Sequence, residues 1–161
     1  GPNPKIEGIA DVCIEGLNAA IEAIRPGATA GEVDAACLAV IEREGLWENY
    51  RKRTGYSVGI GFSSWVEGGV ASLKADDPTV LKPGMCFHIP VAIRLYGEAG
   101  LGFSETVHVT ETGAEILGAT PRELARRTQR AQRAQEGRAQ QHRPAPPPLH
   151  HCGIALAPKQ M

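Results

Sequence analysis

Five side chains between residues 53 and 105 are of types that bind cations, move protons or contact substrates: Arg53, Tyr56, Trp65, His88 and Glu105. Four of them lie in three glycine-punctuated, β-rich segments, RTGYSVGIGF, VLKPGMCFHIP and GFSETVHVTETG, and Trp65 follows the first segment. Glu105 is the most informative of them, because acidic residues are depleted in strands and this one sits inside a predicted strand. A buried carboxylate needs a cation or a set of hydrogen-bond donors as its partner. The chemistry to look for is therefore centred on Glu105.

Two amphipathic helices followed by an antiparallel sheet are predicted to position these side chains. Apolar residues recur at three- and four-residue spacing over 5–24 and again over 30–44, where Thr29 and Glu32 form a capping box. A strand or loop is predicted at 54–62 and strands at 85–94, 103–111 and 114–117, with a loop at 63–79 and a turn region at 97–102. This order predicts an α+β domain, with two helices packed on a sheet of three or four strands.

The charge changes sign along the chain and divides it into two regions. Residues 1–117 carry 9 Lys and Arg against 16 Asp and Glu, whereas residues 118–161 carry 8 against 2. We therefore predict a folded domain over 5–117 and a disordered basic tail, rich in Pro, Arg and Gln, over 118–161. The acidic domain argues against a nucleic-acid partner. A nucleic-acid-binding arm in the tail is the alternative, although the tail lacks interleaved aromatic residues that stack on bases.

The cysteines and the hydropathy pattern predict a cytoplasmic protein with no membrane partner. Four cysteines are widely spaced and form no CxxC pair, which argues against a cysteine zinc site and for buried free thiols. No apolar run approaches ~18 residues, and no signal peptide precedes the first helix. We therefore expect a soluble protein in a reducing compartment.

Four segments carry a family resemblance in order along the chain: AIRPGATAGEVDAA, RTGYSVGIGF, LKPGMCFHIP and FSETVHVTETGAEIL. Over residues 8–117 they resemble the creatinase, prolidase and aminopeptidase P family, the pita-bread metallopeptidases. The resemblance implies that this chain is the second half of a pseudo-symmetric pita-bread catalytic domain. Tyr56 after Gly55, in place of a Gly-His pair, and the Phe87–Pro90 stretch are similar to the ectoine hydrolase-like subset of that family.

The same resemblance implies that most of the family's metal ligands are missing. Family members hold two divalent metals, such as Mn, Co or Zn, with two aspartates, one histidine and two glutamates. The aspartates belong to the absent first half. Tyr56 stands at the histidine position, Pro90 at the first glutamate and Glu105 at the second, so Glu105 is the only ligand retained. Because one carboxylate cannot hold a hard divalent cation and a protonated phenol is a poor ligand, we predict that the metal site is absent or weak.

The function implied is hydrolysis of a small amide or a Xaa-Pro peptide bond by a truncated chain with an incomplete metal site. Water activation would then use Glu105 or His88 as the catalytic base, with Tyr56 donating to a developing oxyanion. Tyr56, Trp65 and Arg53 are the predicted substrate-binding residues. The alternative is a non-catalytic binding or oligomerising module, because half a sheet leaves an edge open to pairing. Self-association into a homodimer would supply the missing half.

A structural interpretation stays open beside the functional one for each candidate. Glu105 is also compatible with a surface charge at a strand edge, and His88 with a structural histidine whose hydrogen bonds are satisfied. Tyr56 is compatible with a core tyrosine, and Trp65 with packing. Arg53 is compatible with a solvated basic run. Whether the chain is an active enzyme is therefore left open by the sequence.

Overall fold

A computed structural model of the chain describes residues 3–51, 53–59 and 71–125. The elements are helices α1 (Pro4–Ala23) and α2 (Ala30–Arg43), a short 3₁₀-helix (Trp47–Asn49), and strands β1 (Gly55–Ser57), β2 (Ser72–Leu73), β3 (Cys86–Leu95), β4 (Ala99–Val109) and β5 (Ala114–Ile116). The strands form one antiparallel sheet in the order β2-β1-β3-β4-β5. The predicted α+β arrangement of two helices on an antiparallel sheet is confirmed. Trp65 lies outside the described residues.

Side-chain caps explain where the two helices begin. The Asn3 carboxamide oxygen accepts the backbone N–H of Lys5 at 3.0 Å at the start of α1. The predicted capping box of α2 is present: the Glu32 N–H donates to Thr29 Oγ1 at 3.2 Å, and the Thr29 N–H donates to Glu32 Oε2 at 2.7 Å. Gly45 follows α2 with a φ of +67°, a conformation that glycine adopts without a steric cost. The local sequence therefore fixes both ends of α2.

The hydrophobic core lies between the two helices and one side of the sheet. Strand β3 alternates fully buried residues with half-buried ones along its length. Its buried residues, together with apolar residues of the helices and of β4, form one cluster: Cys13, Leu17, Val33, Ile41, Phe87, Ile89, Val91, Ile93, Val107 and Val109. Each of the large side chains contributes about 1.5–3 kcal/mol by its burial. Neither α1 nor α2, the two α-helices of the described residues, packs on the other side of the sheet.

We call that other side the open face and define it by Tyr56, His88, Pro90, Ser104 and Thr106. The register places Tyr56 opposite His88, His88 opposite Thr106, and Pro90 opposite Ser104. Residues directly opposite each other in antiparallel strands point to the same side of the sheet. The open face therefore carries the side chains that the helices do not cover.

The sheet differs from the prediction at two places. Strand β2 lies in the segment predicted as a loop, and its two residues are too few to show a period. Strand β4 begins at Ala99 rather than at residue 103, and the turn is shorter, with Gly97 at a φ of +77°. Gly102 lies within β4, directly opposite Ala92 on β3. A Cβ at Gly102 would sit 2.8 Å from the Cβ of Ala92, so a larger residue would not fit there. Glycine at this position serves close strand contact, not a turn.

The described part of the predicted tail continues from the folded domain. Residues 118–125 belong to the same compact unit as the residues before them. Residues beyond 125 lie outside the described part of the chain, so the tail's predicted disorder stays a prediction. Among the described helices, neither α1 nor α2 has the length and apolar character needed to cross a membrane.

Candidate active site

Tyr56, His88 and Thr106 form a row across three neighbouring strands on the open face. Tyr56 lies on β1, His88 on β3 and Thr106 on β4, and the pairing of the strands sets them side by side. Pro90 and Ser104 form the next row on the same face. The sheet register thus brings together one phenol, one imidazole and two hydroxyls.

A direct hydrogen bond couples the phenol to the imidazole. The Tyr56 hydroxyl lies 2.8 Å from His88 Nδ1, and the two rings meet edge to face with centroids 5.2 Å apart. Burial lowers the pKa of His88 below its usual value, because the charged imidazolium loses its water. His88 is therefore mainly neutral near pH 7, with Nε2 left to act outside the pair. A neutral imidazole carries one N–H, so Nε2 is either a donor or a free base.

Two neighbours fix the position of Tyr56. Gly55 has no room for a side chain, since a Cβ would lie 2.7 Å from the backbone oxygen of His88 and 2.9 Å from Leu73 Cδ1. Strand β1 therefore approaches β3 more closely than another residue would allow. On the ring itself, the Arg53 guanidinium carbon lies 5.2 Å from the Tyr56 centroid, in cation–π range. The predicted substrate residues Arg53 and Tyr56 are thus in contact with each other.

A cleft of about 380 Å³ opens beside this row. Its lining combines strand residues with the segment after β5: His88, Ser104, Glu105, Thr106, Leu117, Gly118 and Thr120. That volume is within the range of small-ligand sites. The cleft is therefore large enough for a small molecule beside the imidazole and the hydroxyls of the open face.

Glu105 borders the cleft, but its side chain points to the opposite side of the sheet from the open face. It lies directly opposite Ile89 and alternates with Ser104 and Thr106, so it shares the side of the core. Only 6% of Glu105 is exposed, and its carboxylate accepts a hydrogen bond from Arg122 Nη1 at 3.3 Å. The structure thus gives Glu105 the partner that a buried carboxylate requires. It does not bring Glu105 together with Tyr56 and His88, as the prediction of a shared catalytic role had assumed.

The residues present do not fit the metal centre that the family resemblance implies. Two glutamates at positions 90 and 105 would point to opposite sides of this sheet, and Ser104 is the residue that shares the face of Pro90. Within 3–51, 53–59 and 71–125, no group of three or more His, Cys, Asp or Glu side chains could hold a metal ion. The register therefore argues against Glu105 as a retained ligand, and that assignment stays a prediction.

A buried carboxylate on α2 escaped the sequence analysis. Asp34 is 2% exposed, and its Oδ1 accepts the backbone N–H of Thr54, two residues before Tyr56. The available signal was its place on the helix: it follows Val33 and precedes Cys37 by three positions, inside the predicted apolar face. Because polar residues also occur at the borders of amphipathic helices, this signal was too weak to single out Asp34.

The chain is similar in sequence to proteins named as a cyclase and as a dipeptidase. A 118-residue stretch is 44% identical to an agropine synthesis cyclase from Rhizobium rhizogenes, covering 73% of this chain and 28% of that protein. A 123-residue stretch is 33% identical to a Xaa-Pro dipeptidase from Pyrococcus furiosus, covering 76% of this chain and 34% of that protein. The chain therefore spans about a third of the length of these relatives.

The fold leads to the same family. The structure of dipeptidase PepE from Mycobacterium ulcerans superposes with a TM-score of 0.70 at 32% identity, covering 77% of this chain and 32% of that one. These matches confirm the predicted resemblance and the half-domain fold. Residues 1–111 match the metallopeptidase family M24, and the chain belongs to that family.

Proposed function

We propose that this chain is half of an M24-family hydrolase that acts on a small amide or a Xaa-Pro peptide bond through a tyrosine–histidine pair. The 2.8 Å contact between Tyr56 and His88 on the open face carries this proposal. Relatives named as Xaa-Pro dipeptidase and dipeptidase support the reaction class.

The pair can supply both a base and an electrophilic donor. In the tautomer with the proton on Nδ1, His88 donates to the Tyr56 oxygen and keeps a lone pair on Nε2. Nε2 then takes a proton from water as the hydroxide attacks the carbonyl carbon, and later returns that proton to the leaving amine. The Tyr56 O–H is free to donate to the oxyanion that forms. This division of work keeps the predicted roles of His88 and Tyr56.

The remaining candidates take supporting roles in the proposal. Arg53, held over the Tyr56 ring, offers a cation for the carboxylate of a dipeptide. Ser104 and Thr106 offer hydroxyls inside the cleft. Glu105, which is paired with Arg122, is assigned a structural role here, and His88 is assigned the role of base. Trp65 is kept as a substrate contact from the sequence alone.

The test is hydrolysis of a panel of Xaa-Pro dipeptides and small amides by the 161-residue chain, before and after treatment with a chelator. We expect turnover that survives chelation and that drops about 10²–10⁴-fold in His88→Gln, the range typical of a lost general base. The matched control is His108→Gln, a partly buried histidine two strand positions beyond Thr106 that pairs with Glu115. Activity that requires Mn, Co or Zn, or that is lost equally in His108→Gln, would refute the proposal.

The alternative is a non-catalytic module that assembles with another copy of itself. An unpaired strand at the edge of the sheet, such as β2 or β5, could pair with the same strand of a second copy. Analytical ultracentrifugation, together with the activity assay, separates the two: a stable dimer without turnover supports the module, and a folded monomer with turnover excludes it.

For localisation we propose the cytoplasm, because Cys13, Cys37 and Cys86 are free thiols.

A further inference from the structure

The carboxylate of Asp34 has no part in the chemistry proposed above, yet it is buried at a cost. It lies on the side of α2 that faces the core, with 2% of its surface exposed. Burial raises the pKa of Asp34, because an ionised carboxylate is poorly solvated there. An apolar side chain of similar size would avoid that penalty. What Asp34 contacts therefore indicates what it does.

Asp34 bonds to the residue that begins the Tyr56 strand. Its Oδ1 accepts the backbone N–H of Thr54 at 3.0 Å, and the same N–H also reaches the Leu73 oxygen at 2.8 Å. The Thr54 hydroxyl lies 3.0 Å from the Tyr50 hydroxyl. Thr54 is completely buried. These contacts tie α2, the start of β1, β2 and the segment at Tyr50 to one point.

Thr54 directly precedes the short strand β1. β1 has three residues, and Tyr56 is its middle one. At the far end, Ser57 is held by Ala71, whose N–H donates to Ser57 Oγ at 3.2 Å. At the near end, Asp34 holds the backbone N–H of Thr54, and Tyr50 contacts its hydroxyl. A shift of β1 by a fraction of an ångström would lengthen the 2.8 Å contact of the phenol with His88.

We propose that Asp34 is a positioning residue that holds β1 at Thr54 and so keeps the Tyr56 phenol in hydrogen-bond contact with His88. It acts through Thr54 and touches neither ring. The geometric claim stands on the structure alone, and only its consequence for turnover rests on the proposed function.

The test follows the ring signals of His88 by NMR in the full chain, with unfolding in urea measured in parallel. Tyr56→Phe gives the signal of an uncoupled His88. We expect Asp34→Ala to move the His88 signal from its wild-type position at least half of the way to its position in Tyr56→Phe. Asp34→Asn keeps an oxygen acceptor for Thr54 and should leave the signal near its wild-type position. Asp34→Leu, which removes the acceptor but keeps the volume of the side chain, should move the signal in the same direction if Asp34→Ala does not fold.

A matched control separates positioning from general loss of stability. Ile9→Val removes one methyl group from α1 in the core, away from β1, and should lower stability without moving the His88 signal. If Asp34→Ala leaves the signal at its wild-type position, or if Ile9→Val moves it equally, the proposal is wrong. Should turnover be found, Asp34→Ala should lower kcat by roughly tenfold to a hundredfold with little change in KM. If the His88 signal moves in Asp34→Ala but no turnover is found, the positioning role of Asp34 is supported and the proposed hydrolase function is refuted.

Discussion

Replacing Gly55 with alanine tests the close contact that places Tyr56. The added Cβ would lie 2.7 Å from the His88 oxygen, 2.9 Å from Leu73 Cδ1 and 3.4 Å from Ile89 Cα. The leucine methyl can rotate away, but the His88 oxygen belongs to the backbone of a central strand. Strand β1 must therefore move by about half an ångström. Such overpacking costs about 1–3 kcal/mol, and the lower entropy of the unfolded alanine chain offsets about 0.4–1 kcal/mol of it.

We therefore expect Gly55→Ala to lower the free energy of unfolding by roughly 0–2.6 kcal/mol, measured by urea unfolding followed by tryptophan fluorescence. The matched control is Gly100→Ala on β4, where no described atom lies within 4 Å of the added Cβ. That variant should be neutral or slightly more stable. The His88 ring signal should also shift in Gly55→Ala and stay in place in Gly100→Ala. Equal stabilities for the two variants, with the His88 signal unmoved, would refute the reasoning.

Three further predictions concern stability. Because folded His88 binds a proton less tightly than the unfolded chain, with its ordinary pKa of 6.5, stability should fall as the pH drops from about 7.5 to about 5. His88→Gln should flatten this dependence in urea melts at several pH values, and an unchanged slope would contradict it. Arg122→Ala leaves the Glu105 carboxylate buried without its cation and should lower the free energy of unfolding by about 1–2 kcal/mol. This loss is smaller than for a fully buried pair, because the Arg122 side chain is partly exposed. Arg43→Ala breaks an exposed ion pair and should change stability little; equal losses in the two arginine variants would count against the Glu105 contact. Thr29→Ala removes the cap of α2 and should cost about 1 kcal/mol in the same melts, whereas no change would show that the cap is dispensable.

Local signals in the sequence were sufficient to predict the helices. The Thr29–Glu32 capping box and the glycine at position 45 set the ends of α2, and both are present. The core-facing alternation of β3 likewise follows from Phe87 and Ile89 on either side of His88. These features depend on residues within a few positions of one another, so a single sequence contains them.

Features that depend on strand pairing could not be predicted from the sequence. The side of the sheet taken by Glu105 is set by the register of β3 against β4, which the turn at Gly97 determines. A register changed by one residue would exchange the two faces of β4. Gly102 was misinterpreted as a turn residue because its real constraint, the nearby Ala92, is ten positions away. The contact of Asp34 with Thr54 is non-local in the same sense.

The state of the His88 imidazole tests the central claim most directly, since the account makes the Tyr56–His88 pair the chemical centre. The measurement is a ¹⁵N and ¹³C NMR titration of His88 in the chelator-treated chain and in Tyr56→Phe. The account predicts a pKa below the ordinary 6.5 and an Nδ1 signal that changes when the phenol hydroxyl is removed. A His88 that titrates at or above 6.5, with an Nδ1 signal unaffected by Tyr56→Phe, would contradict it.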